Sequence, residues 1–382
     1  MIKIKFENLL VSIVVSVVVF FNTISTTMLD RTFFQVKVNF LFLVVLLLGL
    51  RFLYKMRVSY KYLILSILLL LSGVLVYVQT NRLNFLVYSM LLVLLVNVDM
   101  KVVLRNYVVV AGILVVGVFL LSLVGMIPNL QYNRAGVIRN SFGFIYPTDF
   151  ASHCFYLFIA VSYLLKDKFI WTRSLFGVLL SAFIIKYSDA RLNALSILLA
   201  TLIFIYFYYS NGKKLKIFAL LPYSAVVFAS VVTYFSYKFS WSNPFLVSIN
   251  KLITGRLALG RNAFDTFGVR LFGTRNVQFI GSGGKTESVI GYNYVDSSYV
   301  QMLFTYGIVP VVLLIIIYVV ASRKQYKDGQ YLLVAILSLI AFNCMIEAFW
   351  FVPTYNIFMF LLFTTNTFSK KESNDIVAIN ET

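Results

Sequence analysis

Apolar runs of membrane-spanning length, separated by short polar connections, recur along the whole 382-residue chain. A run of about twenty residues crosses the hydrocarbon core as a helix that satisfies its own backbone groups. The pattern predicts about twelve spans. The first six are Leu9–Met28, Phe34–Leu53, Tyr62–Val78, Leu83–Val98, Tyr107–Gly125 and Asp149–Leu165. The second six are Ser174–Lys186, Leu192–Tyr209, Ile217–Tyr237, Ser298–Ala321, Tyr331–Ala348 and Thr354–Phe368. The fourth and seventh are short. The expected fold is therefore an all-α polytopic membrane protein, with one membrane domain over residues 1–368 and a polar tail over 369–382.

Composition sharpens this. Hydrophobic residues make up 60% of the chain and charged residues 12%, and the mean hydropathy is +0.89. A water-soluble domain of this size would expose much of that apolar surface. Met1–Asn8 carries Lys3 and Lys5, but no small-residue cleavage site follows the first run, so no removed signal is expected.

Lys and Arg in short loops set orientation. Alternate connections hold Arg51, Lys55, Arg57 and Lys61; Lys101 and Arg105; Lys166, Lys168 and Arg173; Lys213, Lys214 and Lys216; and Arg323, Lys324 and Lys327. With Lys370 and Lys371 they place both termini in the cytoplasm, which suits an even number of spans. The formal charge of +19 is largely this topological signal, drawn to the anionic inner leaflet. It does not point to nucleic acid, because no basic stretch lies on a soluble domain. Cys154 and Cys344 fall in predicted spans and suggest no disulfide framework, and a single histidine, His153, excludes a His-rich metal cluster. No P-loop, GxGxxG fingerprint or internal repeat is evident.

Two connections break the economy of the rest, and both fall on the expected outer face. Met126–Thr148 contains Arg134 and Arg139. Lys238–Ser297 holds Lys238, Lys251, Arg256, Arg261, Arg270, Arg275 and Lys285 against only Asp265, Glu287 and Asp296. Cations accumulating outside run against the positive-inside tendency. The aromatic, glycine-punctuated composition predicts an ordered lid with short helices, for example Asn250–Phe267. A basic concavity beside a membrane suits an anionic ligand, and arginine's planar fork suits phosphate. The plainer reading of any one of these arginines is solvation or contact with lipid phosphate.

Charges at span edges each admit a local role as well. Asp189 can pair with Arg191 or Lys186, and Asp149 can sit in the first turn of a helix after Pro147. Glu347 lies at the outer end of the eleventh span, where Trp350 marks an interface, and His153 reads as a satisfied helix residue.

Three outer stretches, RNSFGFIYPTDFA at Arg139–Ala151, YSDARLNAL at Tyr187–Leu195, and Asn250–Gly273 followed by Tyr292–Pro310, resemble the Wzy-type polymerases of bacterial oligosaccharide repeat units, in the O-antigen polymerase and ligase superfamily. Thr148 stands where the family usually has asparagine, and Asp189 and Ala190 replace commoner small polar residues before Arg191. Asp296, Ser297, nine residues and Gly307 keep the spacing of the ligase branch, with aspartate in place of its histidine. The resemblance implies a GT-C-like membrane fold and metal-independent, inverting glycosyl transfer at the outer leaflet of the bacterial plasma membrane, with no cofactor. Undecaprenyl-pyrophosphate-linked glycans would be donor and acceptor, and a flippase and chain-length regulator of the same pathway would be partners. Arg139, Arg191 and Arg256 would hold the pyrophosphate, with Arg134, Arg261 and Arg270 in support and Tyr292 against a sugar ring. Asp296 would serve as base or cap the following helix, with Glu287 and Asp189 in reserve.

Two other activities fit the same spans. A flippase for lipid-linked oligosaccharides would also suit twelve crossings, though transporters commonly carry midplane charges and repeated halves. A ligase would pass finished glycan to another acceptor.

The loop charges give a direct test of topology. Cysteines at Asn129 and Ser282, in a chain lacking Cys154 and Cys344, are expected to react with an impermeant thiol reagent on intact cells. Labelling only after permeabilisation would reverse the assigned sides.

Overall fold

A computed structural model describes residues 6–29, 37–55, 60–134, 136–210, 215–287 and 289–365. The predicted tail 369–382, and the orienting cations Lys3, Lys5, Arg57, Lys213, Lys214, Lys370 and Lys371, lie outside the described residues.

The first eight helices follow the apolar runs. They are α1 (Phe6–Ile24), α2 (Lys37–Lys55), α3 (Tyr60–Thr80), α4 (Asn84–Leu94), α5 (Met100–Leu123), α6 (Pro147–Leu164), α7 (Ile170–Ser188) and α8 (Arg191–Tyr209). After them come α9 (Ser224–Lys238), α10 (Pro244–Leu252), α11 (Arg256–Phe267), α12 (Ser298–Thr305), α13 (Ile308–Lys327), α14 (Tyr331–Asn343) and the short α15 (Ile357–Phe360). Among the described residues seven helical segments are long and apolar enough to cross a membrane, and three shorter apolar helices pack with them. The protein is a helical membrane protein, and among the described residues the one small sheet is a hairpin of β1 (Gln131–Arg134) and β2 (Val137–Asn140).

Packing pairs α1 with α2 and α5, α7 with α8, α8 with α6 and α14, and α3 with α4 and α13. Small residues allow the close approaches on which helices in lipid depend. A Cβ added at Gly177 of α7 would lie 2.4 Å from the Thr201 hydroxyl of α8 and 2.7 Å from the Phe158 ring of α6.

Three expectations change. The span at Ser298–Ala321 is two helices, because Gly307 breaks it with φ +92°. The large loop is bolted into that break: Ile308 and Val309 donate amides to the Arg270 and Leu271 carbonyls at 3.0 and 3.1 Å, and Thr274 donates to Phe304 at 2.8 Å. A Cβ at Gly307 would come within 2.4 Å of the Leu271 carbonyl oxygen, so no other residue fits. The helix expected over Asn250–Phe267 is likewise two, α10 and α11, parted by Thr254 and Gly255 at φ +57° and +89°. Across Thr354–Phe368, where a twelfth span is expected, the described residues form turns and α15. They nevertheless run to the far end of the bundle, where the Thr365 amide donates to Val98 at 2.8 Å, next to the start of α5. At the cavity end of this stretch, the Tyr355 carbonyl accepts the Tyr107 hydroxyl of α5 at 3.0 Å.

The 126–148 connection also folds inward rather than hanging free. Phe142, Phe144 and Phe150 pack with Phe119 of α5 and Phe183 of α7. Gly143, at φ +83°, sits so close to α5 that a Cβ would meet Val118 at 2.9 Å.

Alanine at Gly307 is expected to lower the stability of detergent-solubilised protein by on the order of 2 kcal/mol or to prevent folding, since it adds a clash to left-handed strain. A Cβ at Gly112 of α5 meets nothing within 4 Å, and Gly112→Ala is expected to melt at or slightly above the unaltered protein. Equal melting curves for the two variants would refute the bolted break.

Candidate functional site

The two cation-rich loops meet at one end of the bundle around a cavity of about 750 Å³. That is well within the size of small-molecule sites. Its walls come from the hairpin, the start of α6, the start of α11, the 281–296 stretch and the turns after α14.

The hairpin register explains the first wall. Tyr132 pairs with Arg139 and Arg134 with Val137, so with period-two alternation Tyr132, Arg134 and Arg139 share a face. All three line the cavity. Arg134 is held by Asp189, donating to its carboxylate and, at 2.9 Å, to its carbonyl. Arg139 donates Nε to the Ser188 carbonyl at 2.9 Å. Its buried Nη2 has no hydrogen-bond partner among the described residues. Desolvation, reinforced by the charges of Arg134 and Arg256 and opposed by Asp189 and Glu347, lowers the Arg139 guanidinium to about 10. It stays protonated at neutral pH, as a partly desolvated cation short of an anion.

Arg256 stands on the second wall, in the first turn of α11. Its Nε lies 3.2 Å from an Asp296 carboxylate oxygen and donates to the Ile346 carbonyl at 3.2 Å, and Nη1 bonds Ile253 and Thr254. Asp296 does not cap α12, whose N-cap is Ser297 and which lacks any side-chain cap bond. Burial raises the Asp296 carboxyl, while Arg256 and Arg139 pull it back. Tyr292 and Glu287 also line the cavity, with Tyr146, Tyr294 and Gln301. Burial beside Asp296 raises the Tyr292 phenol, so it is a neutral donor and stacking surface.

Other expected residues lie elsewhere. Asp189 sits behind the hairpin as the left-handed C-cap of α7, at φ +45°. One of its oxygens accepts from Arg191 Nε at 2.8 Å and the other from Arg134. Burial acts to raise its carboxyl, but the bonds and charges of the two arginines outweigh this and hold it below the usual carboxylate range. Both oxygens are committed, which fits a brace better than a base. The Arg191 side chain is 71% exposed and does not line the cavity. Arg261 pairs with Asp265 one helical turn on and donates to the Tyr237 carbonyl. Arg270 faces a separate crevice with Leu75, Val78 and Leu271. The structure therefore gathers Arg134, Arg139, Arg256, Asp296, Glu287 and Tyr292, and leaves Arg191, Arg261 and Arg270 apart.

Two carboxylates given local roles in the sequence also reach the cavity. Asp149 does occupy the first turn of α6, yet it is buried and lines the wall. Glu347, 4% exposed, accepts from Asn193 of α8 at 3.3 Å. Asn193 also donates to Ser152 and accepts from Asn343, so a polar chain runs from the cavity into the bundle. The signal for Glu347 was present, because an acid within an apolar run is rare and costly. His153 is packed inside the bundle but only half satisfied: its Nε2 is 3.0 Å from the Thr26 hydroxyl and its ring stacks on Tyr355 at 4.2 Å, while its buried Nδ1 has no hydrogen-bond partner among the described residues. Among the described residues no group of His, Cys, Asp and Glu could hold a metal ion.

Compared with protein families, curated proteins and solved structures, the chain finds no match.

The bracing role of Asp189 predicts a graded response. Asp189→Asn keeps the left-handed turn, which asparagine tolerates, but loses the charge. Asp189→Ala loses charge and conformation together and is expected to destabilise by about 2 kcal/mol. Thermal unfolding should rank the unaltered protein above Asn and Asn above Ala. An unchanged Asp189→Ala would remove the brace.

Proposed function

We propose that the protein is a Wzy-type polysaccharide polymerase, joining undecaprenyl-pyrophosphate-linked repeat units at the outer leaflet of the bacterial plasma membrane. This reading takes the chain as crossing twelve times in a GT-C-like arrangement, with both ends in the cytoplasm. The observation that carries it is Arg139: a largely desolvated guanidinium with one unpartnered nitrogen, facing a cavity that also holds Arg134 and Arg256. An anion placed there would gain charge-assisted bonds and relieve the mutual repulsion of the three cations. The resemblance of the outer segments to the polymerases names that anion as a pyrophosphate.

In the proposed reaction an acceptor sugar hydroxyl attacks the anomeric carbon of the donor glycan. A carbon–oxygen bond forms with inversion as the bond to pyrophosphate breaks, and undecaprenyl pyrophosphate leaves. Negative charge grows on the leaving group, where fixed guanidiniums stabilise the transition state more than the ground state. Arg139 and Arg256 take that role, and Arg134 holds the hairpin through Asp189. The hydroxyl's proton passes to a cavity carboxylate. Asp296, which lines the cavity, is the proposed acceptor, although its pairing with Arg256 makes it a weak base and suits it equally to orienting the sugar. Tyr132, Tyr146, Tyr292 and Tyr294 offer flat faces to sugar rings. No metal is required in this scheme.

Purified protein given lipid-linked repeat units tests the reading. Longer lipid-linked glycans support polymerase; transfer to a different acceptor would make it a ligase, and lipid movement without lengthening a flippase. Arg139→Ala is expected to slow polymerisation about a hundredfold, on the order of 3 kcal/mol, and Arg139→Lys to recover only part, because a point charge cannot reproduce the fork. Arg191→Ala and Arg261→Ala, which lie outside the cavity, are expected to cost less than tenfold, about 1.4 kcal/mol. Wild-type rates for Arg139→Ala would end this assignment.

A further inference from the structure

Helix α10 carries a stripe that the bundle leaves uncovered. It starts where Asn243 accepts the Leu246 amide at 3.2 Å and Pro244 fills the first helical position. One face is buried: Leu246 packs with Phe239 and Leu257, and the Asn250 side chain accepts the Ala258 amide at 3.1 Å. The opposite side presents Trp241, just ahead of the helix, then Phe245 and Leu252, exposed by 72%, 64% and 83%. A step of seven residues puts Phe245 and Leu252 along one stripe of the helix, with Trp241 in the turn at its head. Large apolar side chains so fully open to water mark a surface that something covers.

The neighbourhood says what covers it. The Phe245 ring meets Phe235 of α9 edge-on at 6.2 Å. Helix α9 belongs to a membrane-length apolar segment, and its Tyr234 and Tyr237 are exposed at the same end. The stripe thus continues the lipid-facing surface of a span instead of standing away from it. Lys238 and Lys251 flank it, the Lys238 ammonium 5.5 Å from the Tyr237 ring. Tryptophan, tyrosine and lysine at the end of a span are the composition of the headgroup boundary.

We propose that α10 and Trp241 form an interfacial anchor, lying in the bilayer plane with Trp241, Phe245 and Leu252 in the headgroup–acyl boundary. The covering partner is lipid, and the inference stands apart from the chemistry of the cavity. It has a consequence for that cavity all the same. Ile253, Thr254 and Gly255 alone separate α10 from Arg256, and two of them hold a left-handed turn. The seat of α10 in the bilayer therefore lies one tight turn from Arg256, which its bonds to Ile346 and Asp296 hold on the cavity wall.

Quenching by brominated lipid tests the anchor in the full chain. Of the three tryptophans, Trp350 is buried and Trp171 is exposed on α7, so the Trp171→Phe protein is compared with Trp171→Phe/Trp241→Phe to isolate Trp241. In phosphatidylcholine–phosphatidylglycerol vesicles, bromine near the glycerol is expected to cut Trp241 emission about twofold or more, and bromine at the chain ends far less. A label at Ser248→Cys, on the same side of α10, is expected to shift to the blue in those vesicles and gives a second reading that keeps both exposed tryptophans. Quenching of Trp241 by aqueous iodide but not by bromolipid would overturn the proposal. So would shielding from both quenchers in a protein that runs as a dimer, which would assign the stripe to a second copy.

Discussion

Non-helical backbone can exist at membrane depth only where protein, rather than lipid, satisfies its hydrogen bonds. That constraint governs the end of the bundle where the cavity lies. Three segments that are not continuous helices enter it: the connection after α5, the large loop before α12, and the turns after α14. Each is tied by cross-chain bonds. Ile145 donates to Thr26 at 2.9 Å, Ser298 to Cys344 at 3.1 Å and Thr274 to Phe304 at 2.8 Å. The glycines at 143, 273 and 307 are the points where backbone must approach backbone or a neighbouring helix too closely for any side chain. Remove such a tie and polar backbone is left without a partner in a poorly solvated place, which costs far more than the bond itself gains in water.

The electrostatics rest on that scaffold. A net charge of +19 says little about the site, because the cavity wall carries four carboxylates, Asp149, Glu287, Asp296 and Glu347, against three arginines. What matters is pairing. Arg134 is matched by Asp189 and Arg256 by Asp296, and each pair also fixes a segment: the hairpin to the α7–α8 corner, and α11 to the start of α12. Arg139 bonds only a backbone carbonyl through Nε. It makes no ion pair within 4 Å among the described residues, which leaves it as the group with unspent capacity for an anion.

How far the sequence carries depends on the range of the interaction. The helices from α1 to α8 are legible because apolar length is a local property, and the two loops stood out because their cations oppose the positive-inside tendency. The break at Gly307 was not legible: its cause is Gly273 and Leu271, which arrive from a loop more than thirty residues upstream. Arg191, Arg261 and Arg270 carry the same charge signal as Arg139 and Arg256, and only the fold separates them. Arg261 finds its carboxylate one turn along its own helix, a pairing that the short helix expected over Asn250–Phe267 already allows. Glu347 looked like a span-end residue because its partner Asn193 lies 154 positions away.

The separation of Arg139 from Arg256 in sequence also bears on how the site could act. Arg139 belongs to a hairpin braced against α7 and packed by phenylalanines into the bundle, a rigid element. Arg256 belongs to the first turn of α11, reached through two left-handed residues and packed on α9 at Gly260, and it is tied to the turns after α14 through the Ile346 carbonyl. A ligand bridging the two guanidiniums would therefore bind one contact held by the hairpin and one held by α11. The pair with Asp296 opposes any large excursion, since moving Arg256 away would strand a carboxylate in a poorly solvated wall. The braced hairpin and the docked α11 therefore hold both guanidiniums at the cavity before a ligand arrives.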